Sequence, residues 1–360
     1  MKLHKVEYDL GGFTMIKRLL IRLVRVVSLA LVSLALVSLT YAQDLTPVTF
    51  TLDWAIQGPQ AFFLLAEEQG YFEEEGIDIT IDRGFGSSGT VSQIAGGAYD
   101  IGFADINSMI EFNANNPEQA LTAVAVVYNF PPFAIFTLAE SGIDDPAELV
   151  GNTLGAPVFD AAFRLFPLFA EAEGIDPDGV EWIAMDGALR EPSLIRGEVE
   201  GISGFYFTAI LNLEAAGVSR DDVNSFLYSD SGVDVYGNAI MAPTRYIEEN
   251  PDVISGMLTA LTRAWQDTLA DPEAAIAAVQ AADPLIEPEV ELARLQLAID
   301  TNMITPEVRE LGFGAVDEAR LARSIEQVVE IFDLPMTPSV DDVFNGSFLP
   351  PLEDRLPPSE

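Results

Sequence analysis

The chain has 360 residues, enough for two lobes with real cores, and its balance of 49% hydrophobic and 21% charged residues excludes disorder as the main state. It carries 18 Lys+Arg against 57 Asp+Glu, a formal net charge of −39, so nucleic acid and anionic lipid surfaces find no cationic stripe and are excluded as partners. Six of the positive charges (Lys2, Lys5, Lys17, Arg18, Arg22, Arg25) lie in the first 25 residues; the remaining 12 are all arginine, in a surface suited to saline water.

Residues 15–42 have the order of a secretion leader. Lys17, Arg18, Arg22 and Arg25 form its positive segment, Val26–Thr40 its short apolar run, and Thr40-Tyr41-Ala42 a small-x-small cleavage pattern. Residues 1–14 do not fit ahead of it, so Met15 is the expected start. The apolar run is shorter than the ~20 residues a spanning helix needs, and the expected location is the periplasm. The absence of cysteine excludes disulfides, thiolate chemistry and a lipid-bearing cysteine.

Strands and helices then alternate. Val48–Asp53 has strand periodicity. Gly58-Pro59 opens a helix running to Gln69, stopped by Gly70. Ile77–Ile81 is the next strand, and Gly84–Gly89 a turn into a helix beginning near Thr90. Ile101–Ala104, Leu121–Tyr128 and Phe133–Leu138 follow as strands, with a helix from Asp105. The pattern repeats with strands at Asn152–Val158, Val180–Met185, Val199–Gly204 and Ser225–Tyr228. Helices at Asp160–Glu173, Ala188–Arg196 and Thr208–Ala216 separate them. Gly237–Met241 is a returning strand. Helices then fill Asn250–Leu269, Pro272–Ala281, Pro288–Asp300 and Val316–Ile331, with Pro and Asp at their starts. Alternation of this kind implies α/β lobes with mainly parallel sheets. The terminal helices need a surface to cover, so the expected division is 43–133 plus 237–345 as a discontinuous lobe 1. Residues 134–236 form lobe 2, and 346–360 a loose Pro-rich tail. Two crossover strands then join the lobes, with a cleft between them beyond the strands' carboxyl ends.

The chemistry is restricted. His4 is the only histidine and no lysine follows Lys17. The exported body therefore lacks the residues for a Ser-His-Asp or Cys-His triad, a Schiff base or an imidazole-bound zinc. Neither a catalytic residue nor a metal or cofactor is expected; a carboxylate-based enzyme is the residual alternative.

The stretch VTFTLDWAIQGPQAFFLLAEEQGYFEEEGIDITI, from Val48 to Ile81, carries Ala66, Glu68, Gly70, Tyr71, Phe72 and Gly76 in the pattern Ala-x-Glu-x-Gly-Tyr-Phe-x-x-x-Gly. With GFGSSGTVSQIAGGAYDIGFAD and GNAIMAPTRYIEENPDVISGMLTALTRAW, it resembles the periplasmic-binding proteins that serve sulfonates, nitrate and thiamine pyrimidine precursors. The resemblance covers roughly Val48 to Trp265. It implies a type II periplasmic-binding fold, a small-molecule ligand in the interlobe cleft, hinge closure, and a membrane permease of an ABC importer as partner to a monomer. Some relatives are pyrimidine synthases that use a histidine and a lysine-bound cofactor; the body of this chain has neither residue. Where the family's pyrimidine binders carry Pro and His, this chain has Ala55-Ile56-Gln57.

Candidate ligand residues follow from these loops, each with a bland alternative. The resemblance places Trp54 at the cleft, where its face can stack a heterocycle; the alternative is a core tryptophan. Gln57 and Gln60 offer amides or are exposed loop. Phe85, Ser87, Ser88 and Thr90 enter a helix whose N–H groups accept anions or carbonyls, or merely permit the turn. Asp105 and Asn107 follow the third strand, where Asp105 reads first as a helix cap, and Asn129 ends the fourth. From lobe 2 come Phe159 and Asp160, then Arg190 and Glu191, with Arg190 either meeting a ligand anion or balancing its neighbour. Tyr206 and Tyr236 are candidate lids, while Phe205 and Phe207 read as packing. Several aromatics against two cleft arginines, Arg83 and Arg190, favour an aromatic N-heterocycle over sulfonate, taurine or nitrate. A sensory ligand-binding module is the remaining alternative.

Overall fold

The computed structural model describes residues 45–358; the leader, its cleavage pattern and the expected start at Met15 lie outside them. β1 (Thr46–Thr51), β2 (Ile77–Asp82), β3 (Ile101–Asp105), β4 (Leu121–Val126) and β10 (Asn238–Pro243) form one sheet in the order β2-β1-β3-β10-β4. β5 (Phe133–Leu138), β6 (Thr153–Ala156), β7 (Glu181–Ala184), β8 (Gly201–Phe205) and β9 (Val223–Leu227) form the second, in the order β7-β6-β8-β5-β9. This is the α/β architecture with two sheets, and no described helix is long and apolar enough to cross a membrane.

In each sheet four of the five strands run the same way, as expected, and one runs against them. β1 runs parallel to β2 and β3, and β6 to β7 and β8. The antiparallel strands are the two that follow an intersheet connection: β5 against β8 and β9, and β10 against β3 and β4. A strand arriving from the other sheet has no crossover helix to turn it round, so it inserts against the grain.

The connections between the sheets, residues 127–132 and 228–237, are gripped by the C-terminal part of the chain. Arg320, buried on the helix Glu318–Ile331, donates through Nη1 and Nη2 to Asn129 Oδ1 and O at 3.1 and 3.0 Å. On the other connection, it donates to Asp234 Oδ1 at 2.8 Å and Val235 O at 3.3 Å. Glu307 Oε2 accepts a further bond at 3.2 Å, and the guanidinium lies over the Tyr236 and Phe130 rings. The helix Pro288–Ala298 also touches both lobes. Its Glu291 accepts from Gly58 N at 2.7 Å, while Arg294 donates to Phe207 O and Thr208 O at 3.0 and 2.8 Å.

The tail expected to be loose is ordered over its described residues, 346–358. Leu352–Arg355 is a helical turn, and buried Arg355 donates to the carbonyls of Pro350, Leu311 and Phe313 at 2.7, 2.9 and 2.7 Å. Three otherwise orphaned carbonyls and one scarce cation satisfy each other, which holds the segment against the body.

Arg320→Met takes the cation from half-buried Glu307 and releases both connections, an expected loss of about 1.5–3 kcal/mol, measured as a lowered urea midpoint. Arg245→Met, which breaks an exposed pair with Glu249, is expected to leave the midpoint near wild type; equal midpoints for the two variants contradict the clamp.

Candidate functional site

The carboxyl ends of the parallel strands in the two sheets face one another. From the first sheet come Asp53 and Trp54 after β1, and Arg83 to Ser87 after β2. From the second come Pro157 to Asp160 after β6, Met185 to Arg190 after β7, and Phe205 to Thr208 after β8. Backbone approach is close. Gly86 has φ +127°, and a Cβ there would fall 2.5 Å from Phe159 O; one on Gly187 would fall 2.4 Å from the Trp54 ring. Gln57 Oε1 accepts from Thr208 Oγ1 at 2.9 Å across the gap, and Ser88 N and Oγ both reach Phe159 O at 3.3 Å.

Between these loops lies a chamber of about 20 Å³, room for roughly one water, lined by Asp53, Trp54, Ser87, Asp160, Arg190 and Phe205, among others. Trp54 and Arg190 also line a wider mouth of about 590 Å³ that reaches Phe85 and Phe159, a size typical of small-molecule sites.

The chamber's charges are compensated internally. Arg190 is 2% exposed and lies 5.7 Å from the Trp54 ring centroid. It donates through Nε and Nη2 to Glu191 Oε1 at 3.2 and 2.7 Å. Asp160 accepts from Ser203 Oγ at 2.7 Å and from Phe163 N at 3.3 Å; burial raises its pKa, and Arg190 opposes the rise. Asp53 accepts from Asn238 Nδ2 at 2.8 Å and Gln60 Nε2 at 3.3 Å, and burial pushes its carboxyl up to about 7. Around Asp53, the buried atoms Gln60 Oε1, Ser87 Oγ, Asn238 Oδ1 and Tyr128 OH find no protein partner, an unusual density of unused hydrogen-bonding capacity.

Of the residues singled out from sequence, Trp54, Ser87, Asp160 and Arg190 meet in the chamber, and Gln57, Phe85 and Phe159 stand at the mouth. Gln60 and Glu191 sit behind it, orienting Asp53 and Arg190. The others serve elsewhere. Ser88 bonds away from the chamber, and Thr90 Oγ1 closes the end of β1 on Leu52 O at 3.0 Å. Asp105 is a helix cap, accepting from Ser108 N and Oγ at 2.7 and 2.8 Å; Asn107 joins it and also donates to Tyr236 O. Asn129 belongs to the Arg320 clamp. Tyr236 is no lid, since its ring is fully buried and its hydroxyl donates to Glu307 Oε1 at 2.6 Å. Tyr206 stacks on Phe136 outside both cavities. Sequence reasoning passed over Asp53, taken as the end of a strand, and Thr208; it took Phe205 as packing only. The available signal was position: each lies at or just past the carboxyl end of a parallel strand.

Residues 59–275 match the family model described as NMT1/THI5 like. The chain belongs to the NMT1/THI5-like family. One relative of this family member is a formylaminopyrimidine-binding protein of Halalkalibacterium halodurans, 27% identical over 299 residues, which cover 81% of this chain and 86% of that protein. Another is the 4-amino-5-hydroxymethyl-2-methylpyrimidine phosphate synthase of Schizosaccharomyces pombe, 25% identical across 62% of this chain and 66% of the enzyme. The fold matches that of the alkanesulfonate-binding protein SsuA from Xanthomonas axonopodis pv. citri bound to MOPS. The TM-score is 0.65 at 14% identity, over 83% of this chain and 98% of that one. Among the described residues of this NMT1/THI5-like protein, no group of three or more acidic, His or Cys side chains is placed to hold a metal.

Burial makes Asp53 a pH-dependent liability. Its folded pKa of about 7 lies above the ordinary 3.8, so through that window the folded state keeps a proton the unfolded chain has lost, and stability falls as pH rises. Asp105, pushed up to about 6, acts in the same direction. Asp53→Asn is expected to lose less stability than wild type between about pH 4 and pH 8 in chemical denaturation; an equal or larger loss contradicts the assignment.

Proposed function

We propose that the protein is the extracytoplasmic solute-binding component of an ABC importer, non-catalytic, capturing an aromatic N-heterocycle between its two lobes. The observation that carries the ligand class is the charge state of the chamber. Its one cation, Arg190, is spent on Glu191 with Asp160 close by, while the face of Trp54 and the carboxylates of Asp53 and Asp160 border the space. A sulfonate or nitrate there would meet two buried acidic side chains and a guanidinium whose charge Glu191 and Asp160 offset. A flat, uncharged ring bearing N–H donors meets a stacking face and acceptors. The formylaminopyrimidine-binding relative supports the same reading.

The mechanism is capture by closure. As it stands the chamber has room for about one water, so a ring is admitted by the lobes parting and is then held between Trp54 and Arg190, from opposite lobes. The closed form presents itself to a membrane permease. The leader order of residues 15–42 supports export, and the absence of histidine and lysine from the body supports binding without turnover. The relative named as a synthase marks the alternative.

A thermal-shift comparison tests the ligand class. 4-Amino-5-hydroxymethyl-2-methylpyrimidine is expected to raise the melting temperature while taurine and nitrate do not. Trp54→Ala is expected to weaken pyrimidine binding by about 1–3 kcal/mol. Stabilisation by taurine or nitrate alone contradicts the assignment.

A further inference from the structure

Phe85 and Phe159 are 63% and 51% exposed, an unusual cost for rings on a soluble surface, and they stand on opposite lobes at the same opening. Each is held there by the chamber's own architecture. Phe85 lies two residues before Ser87, and Phe159 immediately precedes Asp160, so the backbone that delivers a polar group inward also delivers an aromatic ring to the rim. Val158 is likewise exposed, and Met185 completes an apolar wall that is continuous with the Trp54 ring. The Arg83 guanidinium lies over one face of the Phe85 ring, 4.7 Å from its centroid, and steadies the ring at the rim.

The opening therefore changes character with depth. At the bottom are buried carboxylates and unused hydrogen-bonding atoms; at the top is a two-sided aromatic rim. We infer that the natural guest has two parts: a compact, donor-bearing nitrogen ring taken by the chamber, and an uncharged aromatic extension held at the mouth between Phe85 and Phe159. This rests on the chamber being the ligand site. It adds that a lone small pyrimidine leaves half of the site unused, and that Phe85 and Phe159 set specificity for the extension.

Calorimetric titration with two probes tests it. One is 4-amino-2-methylpyrimidine, the head alone; the other is 4-amino-5-benzyl-2-methylpyrimidine, the same head with an aromatic extension. The benzyl compound is expected to bind wild type about tenfold or more tighter. In the double variant Phe85→Ser/Phe159→Ser the ratio of the two affinities is expected to fall toward one, and Phe85→Ser alone to lower it part-way. Should both probes bind wild type equally, or the ratio survive in the variants, the two-part guest is overturned while the chamber remains the ligand site. Binding of neither probe overturns both.

Discussion

A guanidinium buried among carboxylates organises this protein's cleft. Removing Arg190 from water is costly, and the cost is tolerable only because Glu191 takes two of its N–H groups and Asp160 adds a second negative charge nearby. Its charge is offset in this way, while its remaining N–H groups stay free to donate to a neutral acceptor on a ligand. It also offers a rigid, planar group facing Trp54 across the gap between the lobes. The positively charged side chain that looks in sequence like an anion receptor thus becomes part of the wall.

The rest of the architecture serves to bring two strand-end clusters together. Each sheet places its site loops past the carboxyl ends of parallel strands, where side chains are free of ladder hydrogen bonds and helix N-termini begin. The antiparallel strands β5 and β10 follow the connections between the sheets and take little part in the site. Asn238 on β10, which steadies Asp53, is the exception. The C-terminal segment supplies the counterpart on the connections themselves. Arg320 binds both, and the helix Pro288–Ala298 contacts Gly58 on one side and the start of the helix Tyr206–Ala215 on the other.

Much of this was legible in the residues. Strand and helix alternation located all ten strands to within a few residues, because their apolar runs are bounded by Gly, Pro and Asp. The reversal of β5 and β10 was not legible, since alternating burial is the same in either sense. Within the site, Trp54, Ser87, Asp160 and Arg190 could be picked out because their chemistry is conspicuous at strand ends. Asp53 was hidden because a carboxylate at the end of an alternating run looks like a solvent-facing strand residue, whereas Asn238 and Gln60 hold it inward. Asn129 and Tyr236 misled for the opposite reason. Both are polar residues at a lobe connection, yet their partners Glu307 and Arg320 lie on elements whose contact no local pattern announces. The tail deceived through composition, as Pro-rich sequence reads as loose unless the arginine that anchors it is seen in place.

Capture as proposed requires two lobes that open to admit a guest and close over it. The chain's lack of cysteine makes this directly measurable, because introduced thiols are the only ones present. Glu73→Cys and Glu173→Cys put one spin label on an exposed position beside each sheet. Pulsed electron resonance should then report a broad distance distribution that narrows and shortens on adding 4-amino-5-hydroxymethyl-2-methylpyrimidine. A distribution identical with and without the saturating compound contradicts capture by closure.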